Sequence, residues 1–486
     1  MVFTSNVFVF LYLPLFLLCY YGLPERWRSH VIVAGSYLFY AWWRPDFLLL
    51  FVGITYWNYQ FGKHIHACLD HAPQKAWRLL VVGVVGNLLT LGYFKYANFG
   101  VEVIANALKP LGIETFTLEH IILPLGISFY VFQALSYIVD IYRREAEPAK
   151  NFTDFAAFVA LFPQLIAGPI LRYSLIDQQL KQRTHSWALF SLGCCRFMLG
   201  FVKKVLIADS IAPLSNAFLA HPELPFVDAW FGVFASLMQL YFDFSGYSDM
   251  AIGLGMIMGF RFAENFNQPF MCMSLTEFWR RWHLTLADFL KDYVYVPLAK
   301  AGVNGSTALF LTMLLSGFWH GASFAFICFG LFFAIIMVIE RKFGWATHLG
   351  TPYQLHRNLI AMTLVLCIMP MFITGNLAHS IDIYTGMFGF RSLGSLDYYI
   401  LSTSKMTLAF VVLGFIWIVI AGMINRRFYA QHATQKKAAA PTQTSELTYF
   451  MQSVRGTGAV FLWMGFGVAV TRLAANSFSP FLYFQF

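Results

Sequence analysis

The chain has 486 residues, 58% of them hydrophobic, 19% aromatic and 12% charged, with a formal net charge of +9 and a mean hydropathy of +0.61. Soluble domains carry about 25% charged residues, so the composition excludes a soluble globular protein, and apolar windows recurring along the whole chain exclude a soluble enzyme on one anchor. Windows near about twenty residues without strict alternation imply helices and exclude a β-barrel, and basic residues scattered through loops exclude nucleic acid as a partner.

The first apolar window, 7–23, has no Lys or Arg before it and reads as a retained helix rather than a signal peptide. Arg26 and Arg28 follow it, which predicts an N-terminus outside and a first loop in the cytoplasm. Helices are predicted over 31–43 and 47–59, separated by Arg44-Pro45-Asp46, and over 79–93. The mixed stretch 98–120 reads as a loop with an interfacial helix, and 121–142 as a long apolar helix. Window 152–171 has basic residues on both flanks. If both flanks are cytoplasmic it cannot cross once; it would be re-entrant, broken at Phe162-Pro163-Gln164 and Ala167-Gly168-Pro169.

Windows 187–218 and 229–260 are apolar apart from Arg196, Lys203, Lys204 and Asp209 in the first and Asp243 and Asp249 in the second. The polar and aromatic mixture of 261–300 suits an interface or a helix buried in protein. Apolar blocks 308–339, 359–372 and 406–424 lead to Arg426-Arg427, then to a cytoplasmic linker over about 426–446, and 456–470 closes the chain. The windows together predict an all-α polytopic membrane protein of roughly ten to twelve crossings, residues 1–486 forming one membrane domain. No internal repeat is visible, which weighs against inverted-repeat transporter folds. Seven cysteines without a CxxC pattern suggest neither a disulfide framework nor a zinc site, and no metal is expected.

Four groups of residues are candidates for chemistry. His320 is the one imidazole or charged side chain between Ala308 and Ile339. A polar ring at membrane depth is costly and marks a functional site by default, the alternative being a structural histidine bonded to a backbone carbonyl. On a continuous helix Trp279, Trp282 and His283 would share one face, as a site or as an interfacial aromatic belt with snorkelling arginines. Asp243 and Asp249 would lie on different faces of a continuous helix, where each could neutralise a nearby Arg or Lys. Lys203 and Lys204 with Asp209 could dock an acidic donor or serve as cytoplasmic anchors. Without a nucleophile elbow, P-loop, Rossmann pattern or HExxH, any chemistry falls to histidine, which can act as general base toward an alcohol.

The segments Ser36-Tyr37-Leu38-Phe39-Tyr40-Ala41-Trp42-Trp43, Pro124-Leu125-Gly126-Ile127-Ser128-Phe129, Asp243-Phe244-Ser245-Gly246-Tyr247-Ser248-Asp249, Phe278-Trp279-Arg280-Arg281-Trp282-His283 and Gly317-Phe318-Trp319-His320-Gly321 resemble the membrane-bound O-acyltransferases. Within that family they are most similar to the alginate O-acetyltransferase branch, kin to the D-alanyl transfer protein of teichoic acids. The resemblance covers most of the chain. It implies a through-membrane tunnel, His320 as the catalytic histidine and His283 as a second site residue, with Trp279, Trp282, Trp319, Gln164 and Asp243 as candidate substrate-binding residues. No bound cofactor is implied; acetyl-CoA is the expected donor, with a periplasmic or membrane-anchored acetyltransferase and membrane lipids as partners, in the bacterial inner membrane. Relatives often carry Trp-Gly-x-x-His-Gly where this chain has Phe329-Gly330-Leu331-Phe332-Phe333-Ala334, and Phe-Arg-Ala at Ile373-Thr374-Gly375. The polysaccharide therefore stays open, as do a D-alanyl or other acyl transferase and a non-enzymatic transporter or scaffold.

Overall fold

The computed structural model describes residues 1–112, 118, 120–221, 223–347, 351–433, 457–475 and 481. Among them the chain is helical, and its only β pairing is an isolated antiparallel bridge between Phe266 and Trp282. Among the described residues, five helices are long and apolar enough to cross a membrane, Pro73–Leu111, Phe324–Lys342, Leu355–Thr374, Lys405–Asn425 and Gly458–Ala475, with shorter apolar helices at Phe8–Gly22 and Ile127–Tyr142. Leu18, Leu49, Leu89 and Phe461 stand exposed on helices, a pattern that water would penalise and hydrocarbon does not. The protein is a multi-pass membrane protein. Windows 152–171 and 308–339 are each broken into shorter helices.

The chain divides into two compact units. The first comprises Met1–Cys194 with Met250–Phe262. The helix Pro73–Leu108 continues into the segment 98–120, which corrects the expected loop as far as Leu108; residues 113–117 and 119 of that segment lie outside the described ones. Window 152–171 is broken as expected, into Phe152–Ala160 and the single turn Phe162–Leu165. Asn151 caps the first piece by accepting the Asp154 N–H, and the break falls at Leu161, where Ser36 Oγ accepts the Phe162 N–H at 3.1 Å. Phe162 enters a cluster with Tyr12, Phe16 and Phe39, ring centroids 5.0–5.5 Å apart. The neighbouring helices Asp46–Cys68 and Pro73–Leu108 exchange two amide hydrogen bonds between buried Asn58 and Asn87, at 2.9 and 2.8 Å. Side-chain amides bonded across helices hold together segments whose surroundings are as apolar as their cores.

The second unit comprises Cys195–Asp249 with Ala263–Phe486. The apolar block 308–339 is two helices, Gly305–His320 and Phe324–Lys342. Gly321 is extended, and Ser323 caps the second helix by accepting the Phe326 N–H. A three-residue connection makes them antiparallel neighbours. They close on each other at Gly317 and Gly330, where an added Cβ on Gly317 would lie 2.6 Å from the Gly330 backbone. His320 is thus the last residue of a 16-residue helix, which is about 24 Å long against a hydrocarbon core of about 30 Å. Further on, the helix Lys405–Ala433 runs into the segment read as a linker, and the rest of that segment lies outside the described residues.

Candidate active site

The helix carrying Trp279 is short. Ser274 opens it by accepting the Glu277 N–H at 3.0 Å, and it ends at Trp279. Its first backbone N–H groups, those of Leu275 and Thr276, are accepted by the Glu340 carboxylate at 2.6 and 2.9 Å. Glu277 in turn accepts from Arg281 and from the Thr347 hydroxyl, at 2.7 and 2.6 Å. Arg281 is therefore buried in an ion pair and does not snorkel. Trp282 and His283 follow in a turn, His283 with φ 48° and ψ 52°, before a new helix begins at Leu284. The shared helical face expected for Trp279, Trp282 and His283 is not formed, because the helix stops before the second indole.

These residues are held instead by pairing with the segment Asn265-Phe266-Asn267. Asn267 N–H donates to the Arg281 carbonyl at 2.8 Å, and Leu284 N–H donates to the Asn265 carbonyl at 3.0 Å. The bridge between Phe266 and Trp282 lies between them, and their rings meet edge to face at 5.1 Å. His283 is 1% exposed, and its Nδ1 lies 3.0 Å from Asn265 Oδ1.

The two histidines meet a common neighbour. The Trp319 ring lies 4.8 Å from that of His320 and 6.1 Å from that of His283. Phe372 and Phe329 stand edge-on to His320 at 5.1 and 5.7 Å. A small cavity opens between Leu240, Phe278, Trp279, Trp282, His320, Phe329, Met369 and Phe372. Its free space, about 10 Å³ for the centre of a water-sized sphere, is room for about one water. His320 is the one titratable side chain in that wall, and the buried Trp279 Nε1 has no hydrogen-bond acceptor among the described residues. His320 and the indoles of Trp279 and Trp282 are the side chains with polar atoms in an otherwise apolar lining.

The other sequence candidates have structural partners. Asp243 lies 2.7 Å from Lys204 Nζ, which also contacts Asp209 at 2.7 Å. Asp249 holds Lys203 and Arg196, each at 2.6 Å, and Glu264 takes Arg196 in a two-point contact. The two aspartates sit on an unbroken helix, Phe226–Ile257, Asp243 paired with one cation and Asp249 with two. Gln164 belongs to the first unit, where it accepts from Gln133 Nε2 and donates to the Phe158 carbonyl at 2.9 Å, tying the broken segment to itself. Sequence reasoning missed Asn265, Glu277, Glu340, Phe329 and Phe372. Only Glu277 carried a local signal, the Ser-x-x-Glu spacing of a helix start.

Proteins similar to this chain are membrane-bound acyltransferases. Residues 142–374 match the model of MBOAT, the membrane-bound O-acyltransferase family. The chain is 45% identical over its whole length to the whole of the "Probable alginate O-acetylase" of Azotobacter vinelandii. It is 34% identical to the peptidoglycan O-acetyltransferase of Helicobacter pylori over 81% of each chain. It is also 28% identical to the teichoic acid D-alanyltransferase of Bacillus subtilis over 46% of this chain and 61% of that one. The chain belongs to the membrane-bound O-acyltransferase family and is an acyltransferase.

Proposed function

We propose that the protein moves acetyl groups from cytoplasmic acetyl-CoA across the bacterial inner membrane for O-acetylation of an exopolysaccharide such as alginate, with His320 as general base. The observation that carries this reading is the buried cavity lined by His320 together with the indoles of Trp279 and Trp282 and apolar side chains. Full-length similarity to alginate O-acetylases supports the polymer. Arg26 and Arg28 after the first helix support a periplasmic N-terminus.

In this mechanism the His320 imidazole takes the proton of the acceptor hydroxyl as its oxygen attacks the thioester carbonyl. The oxygen–carbon bond forms, the carbon–sulfur bond breaks, and the proton passes from the imidazolium to the departing thiolate. The Trp279 N–H donates to the carbonyl oxygen as it gains charge, and the apolar wall keeps water from competing as the acceptor. His283, which like His320 neighbours the Trp319 ring, orients donor or acceptor. A periplasmic or membrane-anchored acetyltransferase receives the acetyl group on the outer side.

His320→Ala tests the reading. It should abolish O-acetylation of the polymer and CoA release from acetyl-CoA by the purified protein, with protein level and membrane insertion unchanged. Retained acetylation overturns the role of His320, and transport of an intact solute without thioester cleavage would favour a transporter.

A further inference from the structure

We propose that Asn265 is the positioning residue that sets the tautomer of His283, fixing the proton on Nδ1 and presenting Nε2 as the proton-accepting edge. This rests on the reading of His283 as a working residue of the transfer site. The Thr285 backbone N–H can only donate, and the Asn265 side-chain atom facing it at 3.4 Å must therefore be the amide oxygen. The opposite end of the amide is compatible, since Nδ2 donates to the Ser248 hydroxyl at 3.0 Å, a group that can accept. The Thr285 hydroxyl donates to the same oxygen at 2.9 Å. With Oδ1 so oriented, the ring nitrogen 3.0 Å away has to bring the hydrogen, and that nitrogen is His283 Nδ1. A neutral imidazole with its proton on Nδ1 carries its lone pair on Nε2.

The backbone is arranged to make this contact. His283 is one of four non-glycine residues with positive φ among those described, a conformation that costs about 1–2 kcal/mol. The turn is closed by the Leu284 N–H on the Asn265 carbonyl, so Asn265 grips the histidine through both its main chain and its side chain. Phe244 stands perpendicular to the imidazole at 4.9 Å and Trp319 at 62° and 6.1 Å, so aromatic walls restrict ring rotation about the hydrogen bond. Asn265 is fully buried and Ser248 nearly so, which puts the amide beyond competition from bulk water. The arrangement leaves the ring one orientation and one neutral tautomer.

The experiment is a double-mutant cycle on the full-length protein in detergent, reading CoA release from acetyl-CoA. Asn265→Leu keeps the side-chain size and removes both hydrogen-bonding ends; kcat should fall by at least about 10²-fold while KM for acetyl-CoA stays unchanged. Asn265→Leu combined with His283→Ala should be no slower than His283→Ala alone, within about twofold. Asn265→Asp keeps an oxygen toward Nδ1 and should restore most of the lost kcat. If Asn265→Leu fails to accumulate, Ser248→Ala, which frees the amide to rotate, should give a smaller kcat loss that again vanishes in the His283→Ala background. Losses that multiply in the double variant, or wild-type turnover in Asn265→Leu, overturn the positioning role. Wild-type turnover in His283→Ala itself overturns the underlying reading of His283, a separate result.

Discussion

Replacing Gly317 by alanine should wedge apart the two helices that hold His320. An added Cβ would lie 2.4 Å from the Phe326 carbonyl oxygen and 2.6 Å from both Cα and N of Gly330, all backbone atoms of the facing helix. Ordinary contact starts near 3.4 Å, so the methyl is about 1 Å too close, and no flexible side chain is there to yield. Overpacking of this kind costs about 1–3 kcal/mol. Gly317 precedes His320 by one helical turn, so the displacement reaches the imidazole, and a misplacement of about 1 Å at a reacting group costs on the order of 10²-fold in rate. The assay pairs the melting temperature in detergent with CoA release from acetyl-CoA. Gly467→Ala is the control: nothing lies within 4 Å of a Cβ there, so the same change should leave activity intact and add up to about 1 kcal/mol through helix propensity. Wild-type melting and wild-type turnover in Gly317→Ala would refute the close-contact argument.

Three further outcomes follow from other parts of the molecule. Lys204→Met removes the ammonium that lies 2.7 Å from both Asp209 and Asp243; breaking a buried ion pair from one side costs about 3–5 kcal/mol. The melting temperature should fall sharply, and adding Asp243→Asn should recover part of the loss. Trp279→Phe keeps the cavity wall and deletes its N–H, and a lost donor to a developing oxyanion lowers kcat by about 10²–10³-fold; unchanged kcat would remove Trp279 from the mechanism. His185, in the loop after Tyr173–Lys181, has its pKa held below the usual histidine value by burial and then by the Arg28 guanidinium, 3.0 Å from Nδ1. The fold therefore favours neutral His185. That contribution is present above the ordinary pKa of about 6.5 and is lost as pH falls through the lower folded value. Melting temperature should drop on acidification below about pH 6.5, and less steeply in His185→Gln; an identical slope in the variant would show that His185 is not responsible.

Much of the site is legible in the amino-acid sequence. His320 stands out as one imidazole in an apolar block, and the acids at Asp243 and Asp249 call for nearby cations, which the ion pairs to Lys204, Lys203 and Arg196 bear out. The break in window 152–171 is signalled by proline and glycine and falls at Leu161, next to the predicted Phe162-Pro163. The turn after His320 is less visible, because Gly321, Ala322 and Ser323 do not interrupt the hydropathy that makes 308–339 look continuous. The shared face of Trp279, Trp282 and His283 fails for a related reason: helical periodicity assumes the helix continues, and here pairing with Asn265-Phe266-Asn267 stops it.

What the amino-acid sequence by itself determined is therefore the solvent and the element type. Too few charges and too many long apolar windows leave helices in a bilayer as the one way to satisfy the backbone, and that conclusion needs no knowledge of which helix touches which. The tertiary structure alone decided which distant groups hold the candidate site in place. Asn265 reaches His283 across 18 residues, and Glu340 caps the helix of Trp279 across 65. Such contacts leave no local period or propensity, because a buried polar group finds its partner only where the fold brings a complementary one within hydrogen-bond distance.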